Sequence, residues 1–159
     1  MKDKLSSHRK KMVEDLFIEE DMDKLVGEEK VVDFLNTEVS HRMSRAAKAK
    51  KLYLEQPFVL SVNASQVREE FPESEQILVQ GVIDVYFEED GELVLLDYKT
   101  DRVDSAKELI DRYKTQLDYY SQALSRLEKK KVKEILIYSF ALGEVIDVNN
   151  PAFIDKSSK

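Results

Sequence analysis

Asp84, Asp97 and Lys99 are the side chains whose types and spacing could do chemistry. They lie in Gly81-Val82-Ile83-Asp84-Val85-Tyr86-Phe87-Glu88-Glu89-Asp90-Gly91-Glu92-Leu93-Val94-Leu95-Leu96-Asp97-Tyr98-Lys99-Thr100. Two apolar runs flank Asp90-Gly91, a dipeptide suited to a two-residue hairpin turn. With those residues as the turn, Glu89 pairs with Glu92, and counting outward sets Asp84 opposite Asp97. Opposed residues share a face, and Lys99, two positions beyond Asp97, points the same way. Two carboxylates and an ammonium thus meet in an otherwise apolar hairpin. Like charges opposed across a ladder repel, and partly buried carboxylates need a partner or a metal. A divalent cation would relieve both costs, since hard cations take oxygen ligands. The plainer alternative is an Asp–Lys ion pair with the second Asp at a solvated sheet end.

The elements that must position these groups follow from the flanking pattern. Ile83, Val85, Phe87, Val94 and Leu96 are expected on one face of the hairpin, and Val82, Tyr86, Leu93 and Leu95 on the other. A sheet apolar on both faces is covered on both. Residues 1–51 read as helical: Met12, Val13, Leu16 and Phe17 fall on one helix side, and Val31, Val32, Phe34, Leu35 and Val39 continue the pattern. Leu52 to Val62 reads as a first strand, with Pro57 marking an edge or bulge. The polar stretch from Asn63 to Gln76 reads as a loop. Ser105 and Glu108 form a capping box. The helix it opens carries Leu109, Ile110, Tyr113, Leu117, Tyr120, Leu124 and Leu127 on one stripe and ends near Lys129-Lys130-Lys131. Val132 to Phe140 is a fourth strand, Glu144 to Val148 a short fifth, and 149–159 a flexible tail. Strand, helix, strand in this order implies a right-handed crossover onto a mixed sheet of four to five strands, an α/β fold.

Composition narrows the classes. The chain has 159 residues, 42% of them hydrophobic, and reads as one domain with a core. It has no cysteine, which excludes disulfides, thiolate zinc sites and iron–sulfur clusters. No segment resembles a signal peptide or a membrane span, so a cytoplasmic location without membrane attachment is expected. A net charge of -7 argues against nucleic-acid affinity spread over the whole surface. Arg42, Arg45, Lys48, Lys50 and Lys51 nevertheless form a run free of acids. It reads either as a solvated helix end or as a phosphate-contacting edge. No Gly-Lys-Ser/Thr sequence is present, so the chain has no P-loop.

Gly81-x-Ile83-Asp84, then Asp97-Tyr98-Lys99-Thr100, then Gln116-x-x-x-Tyr120 resembles the PD-(D/E)XK nucleases of RecB type. The likeness is nearest to the C-terminal nuclease domain of the AddA family, the A component of ATP-dependent helicase/nucleases. Glu55-Gln56-Pro57-Phe58-Val59-Leu60 adds to the match, which covers about residues 30–148. The resemblance implies a restriction-endonuclease-like core over 52–148, preceded by a helical part of the nuclease domain over 1–51. It implies an Mg²⁺- or Mn²⁺-dependent exodeoxyribonuclease, part of a helicase–nuclease in double-strand break repair and recombination. Asp84, Asp97 and Lys99 would be catalytic. Asp84, Asp97 and the backbone carbonyl of Tyr98 would hold the metal, and Lys99 would orient or activate the attacking water. Gln116 and Tyr120, an i, i+4 pair on one helix face, would support the site and the DNA strand. Tyr120 also reads as core packing, and Gln116 as an ordinary surface residue. The implied partners are DNA and the second subunit of the heterodimer, with ATP used only by helicase domains absent from this chain.

One family feature is missing: a metal-ligand histidine in a Gly-Thr-x-x-His type context. His8 and His41 lie in Ser6-Ser7-His8-Arg9 and Val39-Ser40-His41-Arg42 and read as surface histidines. The chain is therefore read as a fragment cut inside the nuclease region, expected to hold a cation weakly. The alternative function is a non-catalytic module that keeps the nuclease fold for DNA guidance or subunit docking.

Overall fold

In a computed structural model, residues 27–67, 70, 75–150 and 154–156 are described. The reading of Met12 to Phe17 as helical, the placement of His8 and the Phe71–Ser74 loop lie outside them. Helix α1 (Glu28–Leu35) leads into α2 (Glu38–Lys48), whose Thr37 cap accepts a hydrogen bond from Ser40 N. Strand β1 (Leu52–Asn63) and a four-residue helix α3 (Ala64–Val67) precede the hairpin β2 (Gln76–Glu89) and β3 (Glu92–Lys99). The long helix α4 (Ala106–Glu128) follows, then β4 (Val132–Ser139), β5 (Glu144–Asp147) and β6 (Ile154–Lys156).

The described strands form one sheet in chain order, β1 to β6. All neighbours are antiparallel except β3 and β4, which run parallel because α4 crosses between them. This is the expected mixed α/β sheet with its crossover helix. It has one strand more than expected, because Ile154–Lys156, within the segment read as a tail, pairs with β5. Pro57 sits on β1, an edge strand, where its missing N–H is tolerated.

Both faces of the sheet are covered, as the two-sided apolar pattern requires. Val85, Phe87, Val94, Leu96, Leu136 and Tyr138 pack under Val31, Phe34, Val39 and Met43 of α1 and α2. Tyr86, Leu93, Leu95, Ile135 and Ile137 pack under Leu109, Leu117 and Leu124 of α4. Ile83 departs from the expected alternation: it joins the α4 side, opposite to Val85. Strand β1 switches in the same place, with Leu52 and Leu54 on the α1–α2 side and Phe58, Leu60 and Val62 on the α4 side. The rungs Leu54–Val85 and Gln56–Ile83 are paired, but the rung between them, Glu55 and Asp84, is not. Glu55 there has φ 49°, a left-handed conformation that interrupts the pleat. Beyond this break the other face of the β1–β2 ribbon is open, leaving Val82, also expected in a covered face, 50% exposed. On α4, Leu127 likewise departs from the buried stripe and is 54% exposed.

Part of the basic run is taken up by ion pairs, while Lys48 and Lys50 are exposed. Arg42 reaches from α2 to Glu89 on β2 and Glu134 on β4 through four hydrogen bonds of 2.8 to 3.0 Å. Arg45 pairs with Glu38, and Lys51 with Glu88. Arg42 fastens α2 to the sheet, whereas the Arg45–Glu38 pair lies within α2. Among the described residues no helix is long and apolar enough to cross a membrane.

Candidate active site

The hairpin turn forms as its sequence dictates. Asp90 and Gly91 both have positive φ, 55° and 80°, the combination a type I′ turn needs, and Glu89 pairs with Glu92. The ladder then runs outward to Val85–Leu96 and stops. The next rung is Asp84 and Asp97. Instead of a backbone bridge, the Asp84 side chain takes the Tyr98 N–H at 3.0 Å through Oδ2. The unpaired rung toward β1 and the halted ladder toward β3 together free Asp84 to turn its carboxylate onto the neighbouring strand.

The two carboxyl groups are neighbours within hydrogen-bonding reach. Asp97 is 4% exposed, on the α4 face along with Leu93 and Leu95. Its Oδ2 is buried and has no aligned hydrogen-bond donor. Lys99 Nζ lies 2.8 Å from that same oxygen, an ion contact without hydrogen-bonding alignment. Burial, and then the Asp97 charge, push the Asp84 carboxyl up to about 7, against the pull of the Tyr98 N–H and Lys99. Two effects oppose each other on Lys99: burial lowers its pKa, but the Asp97 carboxylate outweighs it and the net direction is upward. Lys99 is therefore a cation at neutral pH. The plainer sequence alternative, an ion pair with the second Asp solvated, fails for Asp84, which is largely shielded and tied to the Asp97 strand.

Helix α4 closes the site. Gln116 Nε2 donates to Tyr120 Oη at 3.0 Å, the i, i+4 contact expected of this pair. Tyr120 is half-buried and packs edge-on to Phe58 at 4.8 Å. The core-packing reading of Tyr120 describes its ring, which belongs to the α4 core, while its hydroxyl accepts from Gln116. Burial, then the Asp97 charge, raises the Tyr120 pKa, and the ring comes close over Gly81. Gly81 makes this approach possible, since a Cβ there would lie 3.0 Å from Tyr120 Oη and 3.0 Å from Phe58 Cε1. Gln116 is exposed. The Tyr98 ring points away, into the α1–α2 core against Phe34 and Phe140, so only its backbone faces Asp84. His41 is exposed on α2.

Sequence reasoning missed two features. Glu55, strained opposite Asp84, was visible only as part of a likeness, because a positive φ inside a strand leaves no composition signal. Tyr113 stands with its ring 3.8 Å from Lys99 Nζ, although the helix pattern marked it only as core.

The site has the donor chemistry a hard cation requires: two adjacent carboxylates, one with a buried oxygen lacking an aligned donor. Among the described residues, no group of three or more His, Cys, Asp or Glu is gathered for a metal. That leaves a two-carboxylate set, which suits Mg²⁺, an ion that keeps several waters and binds through one or two carboxylates plus substrate phosphate.

Comparison with known proteins gives the family of the chain. The chain is similar to the A component of the ATP-dependent helicase/nuclease of Clostridium kluyveri (strain NBRC 12016), 36% identical over 137 residues, which are 84% of this chain and 11% of the relative. The component of the same name from Clostridium botulinum (strain Loch Maree / Type A3) is 34% identical over 143 residues, 87% of this chain and 11% of the relative. That of Clostridium botulinum (strain 657 / Type Ba4) is 32% identical over 152 residues, 93% of this chain and 12% of the relative. The chain thus spans 11–12% of the length of these relatives. The family model of the PD-(D/E)XK nuclease superfamily matches residues 2–153, and it is to this superfamily that the chain belongs.

Proposed function

We propose that this domain hydrolyses DNA phosphodiesters at the Asp84–Asp97 rung, with Mg²⁺ or Mn²⁺ as cofactor. Asp84 and Asp97 would hold the ion through their carboxylates, with the Tyr98 carbonyl as a further oxygen ligand. When bound, the ion supplies a Lewis acid for the scissile phosphate and lowers the pKa of a bound water. Lys99, fixed beside Asp97, orients the attacking water and offsets negative charge that grows on the phosphate. Gln116 and Tyr120 line the rim where the DNA strand would lie. The observation that carries this reading is the pairing of two shielded carboxyls with the Lys99 ammonium 2.8 Å from one of them. Unrelieved, that pairing costs stability; a hard cation turns the cost into a binding site.

The relatives are named as helicase/nuclease components, which supports a helicase–nuclease context. We propose an exodeoxyribonuclease within a helicase–nuclease that processes double-stranded ends in the cytoplasm for recombinational repair. DNA and a second subunit would be its partners, and ATP would be used outside this chain, which has no P-loop sequence. The test is cleavage of labelled single-stranded DNA by the chain with Mg²⁺ or Mn²⁺, alongside calorimetry of Mn²⁺ binding. Binding and cleavage are both expected to vanish in the Asp84→Ala, Asp97→Ala double variant. Metal-dependent cleavage that survives both changes excludes this site. Neither binding nor cleavage in the unaltered chain would leave the non-catalytic guidance or docking module.

A further inference from the structure

We infer that Tyr113 is the positioning residue for Lys99, with its ring held in place by Asp101 and Arg112. This rests on the role of Lys99 proposed above. Lys99 is the last residue of β3, its backbone held against β4 by the Lys99–Ser139 rung while its side chain runs beyond the ladder's restraint. Its side chain is a flexible four-carbon stem carrying a point charge, so something beyond the strand must fix the ammonium. Two groups touch it: Asp97 Oδ2 at 2.8 Å and the face of the Tyr113 ring, centroid at 3.8 Å. Asp97 is also the proposed cation ligand. Its oxygen cannot serve ammonium and metal at full strength together. An aromatic face attracts the ammonium through its quadrupole and competes for no ligand.

The ring itself is fastened. Tyr113 Oη donates to Asp101 Oδ2 at 2.6 Å, and Arg112 NH1 donates to the same oxygen at 2.7 Å. Asp101 lies two residues after Lys99. The contacts therefore close a short circuit from the end of β3, through Asp101 and Tyr113, back to the Lys99 ammonium. A ring serving only the core would need no such anchor; this one is partly buried under α4 and still spends its hydroxyl on Asp101.

The experiment uses the full 159-residue chain, single-stranded DNA and Mn²⁺. Tyr113→Leu is expected to lower kcat on the order of 10²-fold, the usual consequence of a group misplaced by about an ångström, with KM and Mn²⁺ affinity unchanged. Tyr113→Phe keeps the ring but loses the Asp101 anchor, and is expected to recover part of that loss, which general damage to folding would not allow. In a Lys99→Met background, Tyr113→Leu is expected to cost nothing further. The Lys99 ε-methylene protons are expected upfield of their ordinary position, shifted by the ring, and to return to it in Tyr113→Leu but not in Tyr113→Phe. Full kcat in Tyr113→Leu, or an added loss in the Lys99→Met background, overturns the inference. Absence of cleavage by the unaltered chain sinks the nuclease reading instead. The methylene shift then still decides: a ring-shifted resonance supports the placement of Lys99, and an unshifted one overturns it.

Discussion

Asp84→Asn should stabilise this chain in chelator, and only above acidic pH. The Asp84 carboxyl is raised from an ordinary 3.8 to about 7, chiefly by burial and then by Asp97. Its folded-state pKa therefore exceeds its unfolded one. Between those two values the folded chain binds a proton that the unfolded chain has released, so stability falls as pH rises. The contribution is intact below about pH 4 and lost above about pH 7. At 1.36 kcal/mol per unit, a rise of about three units bounds the loss at ~4 kcal/mol, and residual solvent contact reduces it to roughly 2–4 kcal/mol. Asparagine is neutral throughout and its Oδ1 can still accept the Tyr98 N–H. The two proteins should therefore be equally stable near pH 4 and differ by that amount at pH 8. Urea unfolding in EDTA, followed by circular dichroism from pH 4.5 to 8.5, measures the difference at each pH. A difference that stays flat across the range, or an Asn variant less stable at pH 8, would refute the placement of Asp84 beside Asp97. Asp97→Asn is not expected to mirror it. That change also removes the repulsion, but it leaves the Lys99 ammonium, 17% exposed, beside a neutral amide. Its gain in chelator should be smaller than that of Asp84→Asn, or absent.

Gly81→Ala should cost about 1–3 kcal/mol by overpacking, since the new Cβ meets Phe58 and Tyr120 at 3.0 Å. Adding Tyr120→Phe should recover only part of it, because Tyr120 Cε1 remains 3.1 Å away; denaturant unfolding of the three variants checks this. Arg42→Met should destabilise by roughly 1–3 kcal/mol, a value below that of a fully buried pair because the partners are partly solvated. It leaves Glu89 and Glu134 without their shared guanidinium, although Lys133 still pairs with Glu89 at 2.9 Å. Adding Glu134→Gln to Arg42→Met should restore part of the loss, and a thermal unfolding series that shows no recovery would place the cost elsewhere.

The hairpin was legible because its evidence is local. Asp90-Gly91 permits one tight turn, the turn fixes the register, and the register brings Asp84 to Asp97. Helix α4 was legible from its cap and stripe: Ser105 Oγ accepts from Glu108 N at 3.4 Å, and Leu109, Leu117 and Leu124 are buried. What stayed hidden depends on residues far apart in the chain. Ile83 looks like any other member of an alternating strand, and its change of face follows from the backbone of Glu55 on another strand. The run from Arg42 to Lys51 is basic only in one dimension; the fold brings Glu88, Glu89 and Glu134 to it. Tyr113 carries the spacing of a core residue, and nothing in that spacing shows that Lys99 will end over its ring.

These hidden features converge on one rung. At Asp84 the sheet loses a bridge toward β1, ends a ladder toward β3, switches the packing side of two strands and carries a strained Glu55 across from a shielded acid. Each of these costs stability, and regular strands would avoid them all. An unbroken β2 would keep strict alternation, but Asp84 would then present its backbone to the ladder and Tyr98 N–H would be claimed by a carbonyl. The break is what lets one carboxylate reach across to the next strand and stand beside Asp97. The same break carries Ile83 and Phe58 to the α4 side, where Phe58 meets the Tyr120 ring. Local disorder in the pleat and the assembly of the site are thus a single structural event. A substitution that restored a regular strand conformation at residue 55 should therefore make the fold more stable while pulling Asp84 away from Asp97.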